Sequence, residues 1–160
     1  MQVFIKNKLM SLGGSSAVVN ADNNPVYNVK GKIFSPTRKK FIKDLNGNKL
    51  YTLRNRWFNW FVHKVYIYDA QTKKKVATVK DKLFNVRKEF FVEGYGDEIS
   101  TEGNFFSLST TIYRNDTPIG QINRQITLIR DAFCLEADEK DIPFLIALVI
   151  AIDNITDKKR

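Results

Sequence analysis

The sequence predicts a mainly β protein in which a closed antiparallel β-barrel surrounds one buried, apolar C-terminal helix. Nine consecutive apolar residues, 144–152, stand between polar flanks near the end of the chain. Ahead of them the chain is rich in Val, Ile, Phe, Tyr and Thr, and Gly, Asn and Asp interrupt it at short intervals, which is typical of short strands joined by turns. A sheet that closes around a helix has no exposed edges and buries the helix on every side.

The predicted strands alternate apolar and polar side chains. The alternation is clear in residues 27–33, 64–69 and 106–112. Because successive side chains of a strand point to opposite faces, this pattern buries one face and exposes the other to water.

Three segments share a strand, a polar turn and then two apolar residues three positions apart: residues 41–53, 66–79 and 112–122. Asn46-Gly47 is a strong hairpin signal because both residues tolerate a positive φ. The three-residue apolar step interrupts strict alternation, so we expect a bulge after each turn that curves the sheet.

The apolar segment 144–152 lacks the polar face of a surface helix, so as a helix it must be enclosed. Nine residues are too few to cross a bilayer, which needs about 20; a membrane-inserted tail is the alternative. Asp141 and Pro143 suit a helix start. We expect near-complete burial of Leu145, Leu148, Val149 and Ile152.

Length and composition favour one domain spanning residues 1–160, and a monomer. The N-terminus lacks the pattern of a signal peptide. The single cysteine, Cys134, lies in a strand-like segment and is predicted to be a buried thiol. Both points favour the cytoplasm.

Residues for catalysis are scarce. With one His, His63, and one Cys the sequence offers no Cys/His metal cluster. Gly13-Gly14 is not followed by the Lys-Ser/Thr of a phosphate-binding loop. We therefore expect no catalytic residues, no metal, no cofactor and no enzymatic activity.

Positive charge is concentrated in the first part of the chain. The net charge is +9, but residues 1–90 hold 19 Lys and Arg against 5 Asp and Glu, a balance of +14. A basic surface attracts polyanions such as nucleic acid or anionic lipid. The alternative is a solvated face whose lysines protect solubility.

Residues 57–61 are mostly aromatic and adjoin Arg54 and Arg56. Such a combination can stack nucleic-acid bases or anchor a protein at a membrane interface. A corner of the core built from large residues is the favoured interpretation.

Four motifs together resemble the tubby C-terminal-like superfamily, in its LURP-one-related branch and its small bacterial members. They are Tyr27-x-Val29-Lys30-Gly31-Lys32-x-Phe34-Ser35, Asp44-x-x-Gly47-x-x-Leu50-x-x-Leu53-Arg54, Ile67-Tyr68-Asp69, and the terminal segment from Asp141 to Ile155. The resemblance extends over residues 27–155 and implies a barrel of about twelve strands threaded by the C-terminal helix.

The resemblance also implies a binding function. Tubby domains bind phosphoinositide head groups through a Lys-x-Arg pair; Arg54 aligns with its arginine, and Thr52 stands at the lysine position. We expect a binding or scaffold domain, peripheral at the membrane, that recognises anionic lipid head groups or phosphorylated ligands; a protein-interaction or structural domain is the alternative, and nucleic acid stays open as a partner. The predicted anion-binding residues are Lys30, Lys32, Arg54, Arg56, Lys73, Lys74 and Lys75.

Overall fold

A computed structural model of the protein describes residues 1–6, 15–32, 34–57, 63–81, 90–93, 98–103, 109–126 and 131–157. Within these residues the chain forms twelve strands followed by one helix. The strands are β1 (Gln2–Lys6), β2 (Ser15–Asn20), β3 (Pro25–Gly31), β4 (Lys40–Lys43), β5 (Lys49–Asn55), β6 (Lys64–Asp69), β7 (Lys75–Asp81), β8 (Phe90–Glu93), β9 (Ile99–Gly103), β10 (Ser109–Arg114), β11 (Thr117–Ile126) and β12 (Asp131–Ala137). The helix α1 is Ile142–Asp157. The predicted class, mainly antiparallel β-structure with one C-terminal helix, is confirmed.

Hydrogen-bonded neighbours follow the chain from β2 to β12, and every pair is antiparallel. The first strand, β1, pairs with β12 along its whole length and also with β2. The pairing is thinnest between β8 and β9, where Val92 opposite Ile99 is the described register pair. The order of the strands is therefore cyclic.

Each of the three predicted hairpins carries the expected bulge. In the strand after the turn, the pairing skips Leu50 of β5, Val76 of β7 and Ile119 of β11. A fourth hairpin, between β2 and β3, skips Val26 in the same way. Val26, Val76 and Ile119 pack against the core, so the apolar three-residue step marks a bulge whose extra side chain still contributes to packing.

The helix α1 forms the centre of the core. Every side chain from Phe144 to Ile152 is at most 1 % exposed. The predicted burial of Leu145, Leu148, Val149 and Ile152 is confirmed, since each is 0 % exposed. The surrounding strands provide inward side chains such as Val3, Ile5, Ile42, Leu53, Ile67, Ile112 and Leu135. The helix is thus an internal element, and the alternative of a membrane-inserted tail is wrong.

The single cysteine lies in the core. Cys134 is 2 % exposed, and burial, together with the nearby charge of Glu136, raises the pKa of its thiol. The predicted buried thiol is confirmed.

Among the described segments, no helix has the length and apolar character to span a membrane.

The two ends of the strand ring differ. One end, here called the turn end, carries the short connections β2–β3, β4–β5, β6–β7 and β10–β11, and α1 begins there, where Arg114 meets Asp141. The opposite end, here called the loop end, carries the β3–β4 and β5–β6 connections. The C-terminal part of α1 reaches this end, where Lys40 Nζ donates to Asn154 Oδ1 at 3.1 Å.

The strand β11 approaches α1 closely at Gly120. A Cβ atom added there would lie 2.8 Å from Leu145 Cδ1 and 3.3 Å from both Ala137 Cβ and Glu136 O. We expect Gly120→Ala to lower the free energy of unfolding by about 1 kcal/mol, because the buried Leu145 must move to admit the methyl group. Urea unfolding measures this. Gln121→Ala, on the exposed side of the same strand, is the control, and equal midpoints for both variants would contradict the close approach.

Candidate anion-binding face

Strands β3 to β7 present one continuous outer surface. A row of cross-strand neighbours runs over it in the order Lys30, Phe41, Thr52, Tyr68 and Lys75. The alternate positions of the same strands point into the core, as Leu53 does at 0 % exposure. Alternation therefore places these cations and aromatic rings together on the outside.

Phe41 lies at the centre of the first half of this surface. The Nζ atom of Lys49 is 4.7 Å from the centroid of its ring, and that of Lys39 is 6.0 Å away. An ammonium group at this distance is attracted to the negative face of the ring. The aromatic ring thus holds two cations close together without neutralising either.

In the second half of this surface, two tyrosines of β6 lie close to cations in the same way. Arg54 Cζ lies 5.4 Å from the centroid of the Tyr68 ring, and Lys75 Nζ lies 5.5 Å from that of Tyr66. The two rings contact each other edge to face, with centroids 6.5 Å apart. Arg54 is therefore oriented over a ring while its side chain remains exposed.

We call this surface the basic face. It consists of Lys30, Lys32, Lys39, Phe41, Lys49, Thr52, Arg54, Tyr66, Tyr68 and Lys75.

Several cations act together on Lys39. Partial burial lowers the pKa of Lys39, and the charges of Arg54, Lys32 and Lys49 lower it further. Each of these neighbours is a cation, so like-charge repulsion is present in the folded protein. An anion bound at this point would relieve the repulsion and raise the pKa of Lys39 again.

The arrangement suits a ligand that carries several negative oxygens. Lysine ammonium groups act as point charges, and an arginine guanidinium can donate two parallel hydrogen bonds to one phosphate. The face is open, because Lys30, Lys32, Lys49, Arg54 and Lys75 are all exposed. What the face offers a ligand is therefore positive charge and hydrogen-bond donors.

The structure brings together part of the predicted anion-binding set. Lys32 and Arg54 both act on Lys39, and Lys30 lies beside Phe41. Arg56 is exposed two residues beyond Arg54, and its N–H donates to Lys64 O at 3.0 Å, so it extends the face toward the loop end.

The structure places the three predicted turn lysines in two different locations. Lys75 lies over Tyr66 on the basic face. Lys73 and Lys74 lie in the exposed β6–β7 turn at the turn end, and Lys73 adopts a φ of 58°. That Lys73 and Lys74 contribute to anion binding stays a prediction.

Sequence reasoning missed Lys39 and Lys49 as members of the site. Both lie near the Phe41 ring. The apolar Ile42 was the available sequence signal for an outward Phe41, but nothing in the sequence showed that Lys40 points inward and Lys39 does not. The proximity of Lys49 depends on the register between β4 and β5, which the sequence does not display.

Two findings differ from the simplest interpretation of the sequence. Lys40, one of the 19 Lys and Arg of residues 1–90, adds no charge to the surface, since it is 4 % exposed and donates to Asn154. Trp57, interpreted as part of a core corner, is 65 % exposed. Residues 58–61 of that aromatic run lie outside the described residues.

A depression of about 800 Å³ lies away from the basic face, at the turn end beside the start of α1. Its charged lining is mixed: Arg114 pairs with Asp141 at 3.0 Å, and Glu136, Asp138 and Lys140 line it as well. Because both signs are present, the lining of this depression differs from the uniformly positive charge of the basic face.

The fold and the basic face define a small antiparallel β domain with a central helix and one cationic side. A family model described as LURP-one-related matches residues 1–153, so the chain belongs to the LURP-one-related family. A crystal structure of a protein from Arabidopsis thaliana resembles the chain with a TM-score of 0.65 and 16 % sequence identity, covering 97 % of this chain and 91 % of that one. At this identity the likeness shows the fold alone. No curated protein matches the chain by sequence.

Proposed function

We propose that this protein is a non-enzymatic binding domain that recognises anionic lipid head groups or phosphorylated ligands through its basic face, as a cytoplasmic protein peripheral to the membrane. The observation that carries the proposal is the placement of two lysines at one aromatic ring: Lys49 Nζ and Lys39 Nζ lie 4.7 Å and 6.0 Å from the centroid of Phe41, and the charges of Lys32 and Arg54 also act on Lys39. Such a cluster costs free energy in the unbound protein and is stabilised by a polyanion.

Thr52, which aligns with the lysine of the tubby pair, carries no charge, so the cations around it are the relevant feature. Thr52 lies between Phe41 and Tyr68 in the outer row, in the middle of the basic face. The cations that flank Phe41 come instead from Lys39 and Lys49. Positive charge is thus present around Thr52. Because Lys39 and Lys49 are placed differently from the lysine of the tubby pair, we expect a different head-group preference.

We also infer that the scaffold is a closed barrel. The cyclic strand order and the burial of α1 on all sides support this inference. A closed barrel fixes the register of neighbouring strands and so holds the side chains of the basic face in place.

We expect Arg54→Ala combined with Arg56→Ala to weaken binding to phosphatidylglycerol-containing vesicles roughly tenfold to thirtyfold, because each cation near an anionic surface contributes about 1 kcal/mol. Vesicle sedimentation at low salt measures this, with pure phosphatidylcholine vesicles as the reference. The melting temperature should stay nearly unchanged, since both side chains are exposed.

Two variants serve as controls. Arg54→Lys combined with Arg56→Lys keeps the charge and removes the planar fork, so it separates attraction from bidentate hydrogen bonding. Lys140→Ala removes one exposed cation at the turn end and should bind like the unchanged protein. Displacement by a soluble inositol phosphate identifies a head-group site. Equal sedimentation with anionic and neutral vesicles, and no binding of the inositol phosphate, would leave the protein-interaction domain as the better description.

A further inference from the structure

Two aromatic side chains are exposed at the loop end. Phe34, in the β3–β4 connection, is 97 % exposed, and Trp57, just after β5, is 65 % exposed. Large apolar side chains are normally withdrawn from water because their hydration is unfavourable. Neither ring contributes to the core, so their exposure calls for an explanation outside the domain.

The backbone around Phe34 is well determined by hydrogen bonds. Ser35 accepts at its carbonyl from Arg38 N at 2.9 Å and at Oγ from Lys39 N at 3.1 Å. Lys32 N donates to Lys39 O at 2.8 Å, which closes the loop at its base. Within this loop Phe34 adopts a φ of 58°, a conformation that is costly for a bulky residue. The loop thus holds the ring away from the protein.

The two aromatic residues belong to one structural unit. Asn55 N donates to Thr37 O at 2.8 Å, so the end of β5 is tied to the loop that carries Phe34. Trp57 follows two residues after Asn55. We call Phe34 and Trp57 the aromatic tip.

Basic residues lie close to the aromatic tip in the chain. Lys32 precedes Phe34 by two residues, Arg38 follows it by four, and Arg56 directly precedes Trp57. Through Lys32, Lys39 and Arg54 the tip is continuous with the basic face. A surface with exposed aromatic rings and surrounding cations is complementary to the interface of an anionic bilayer, where rings lie at head-group depth and cations meet phosphates.

We propose that the loop end is a membrane-insertion tip, with Phe34 and Trp57 entering the interfacial layer of an anionic bilayer while the basic face contacts its head groups. This inference rests on the proposed function and selects the lipid surface over a free phosphorylated ligand, which two exposed rings at the edge of the face would not engage. It also orients the domain, because the turn end then faces away from the bilayer.

The test compares Phe34→Ser combined with Trp57→Ser against the unchanged protein on a monolayer of phosphatidylcholine and phosphatidylglycerol. The unchanged protein should raise the surface pressure, and the variant should not. On vesicles of the same lipids at raised salt, where screening weakens the basic face, the variant should bind about tenfold more weakly or worse, because burial of two aromatic rings is lost.

The chain offers a matched control. Leu45 is 59 % exposed at the turn end, so Leu45→Ser removes a comparable exposed apolar side chain from the opposite end. It should leave monolayer insertion and vesicle binding unchanged. Melting temperatures of all variants should agree closely, since none of the three side chains is buried.

The outcomes separate the two proposals. If the serine variant binds anionic vesicles and raises the surface pressure like the unchanged protein, the insertion tip is wrong and the basic face stands alone. If the unchanged protein binds neither vesicles nor monolayer, both proposals fail. If it does not insert but binds a single-stranded oligonucleotide, and the serine variant loses that binding, the rings stack on bases and the membrane assignment is overturned.

Discussion

Leu148→Asp is expected to abolish folding. Leu148 is 0 % exposed at the middle of α1, and the helix is enclosed by strands, so a carboxylate there cannot reach water. A buried, unpaired charge costs several kcal/mol, and loss of the leucine packing adds about 2–5 kcal/mol. Together these are comparable with the whole stability of a domain, which is about 5–15 kcal/mol. We expect the variant to be insoluble, or soluble without a cooperative unfolding transition.

Two controls isolate the effect of burial. Leu148→Met keeps an apolar side chain of similar volume and should cost less than about 1.5 kcal/mol. Leu45→Asp introduces the same charge at a position that is 59 % exposed and should fold normally. A Leu148→Asp protein that unfolds cooperatively at the same temperature as the unchanged protein would show that α1 is not the centre of the core.

The central helix could be predicted from sequence because its signal is local. Residues 144–152 lack a polar face, which favours burial on every side, and nine residues are too few to span a bilayer. The membrane-inserted tail, which the sequence left as the alternative, was excluded only by the structure. The hairpins were predictable for a similar reason. The apolar steps that begin at Leu50, Val76 and Ile119 lie within a few residues of their turns, and each proved to mark a bulge.

The basic face was only partly predictable, because it depends on register across five strands. Alternation assigns Lys30 and Arg54 to an outer surface, but it does not say which strand lies beside which, or that Lys39 and Lys49 meet over Phe41. A shift of one residue would exchange inward and outward side chains. Lys39 and Lys40 illustrate this: they are adjacent in the chain, yet one joins the basic face and the other is buried.

The exposed aromatic tip could not be recognised from composition. Runs of Trp and Phe occur more often in cores than on surfaces, since each ring buries a large apolar area. Only the tertiary structure shows that Trp57 lies outside, past the last inward residue of β5, and that Phe34 projects from a neighbouring loop.

A buried polar pair explains why a lysine lies inside the loop end. Lys40 is 4 % exposed, Asn154 is 3 % exposed, and the Nζ atom of Lys40 donates to Asn154 Oδ1 at 3.1 Å. Asn154 lies near the C-terminal end of α1, where the helix dipole favours a cation. The polar residues after the apolar segment therefore do more than end it: they connect the helix to β4.

Replacing Asn154 should therefore lower the free energy of unfolding, because its side chain accepts a hydrogen bond from a buried ammonium group. We expect Asn154→Leu to lower the free energy of unfolding by about 2 kcal/mol, because hydrogen bonds to a charged group contribute about 1.5–3 kcal/mol and Lys40 is buried. Urea unfolding measures this. Lys40→Met should also destabilise, and the double variant should lose less than the two single losses combined, with a coupling of about 1 kcal/mol or more.

The neighbouring lysine provides the matched control for this cycle. Lys39→Met changes the same residue type one position earlier, at a partly exposed position on the outer surface, and should alter stability by less than about 0.5 kcal/mol. If the two changes at Lys40 and Asn154 were strictly additive, the hydrogen bond between them would contribute nothing to stability. If Lys39→Met and Lys40→Met were equally tolerated, Lys40 would be in contact with water, and the link between α1 and β4 at the loop end would have to be abandoned.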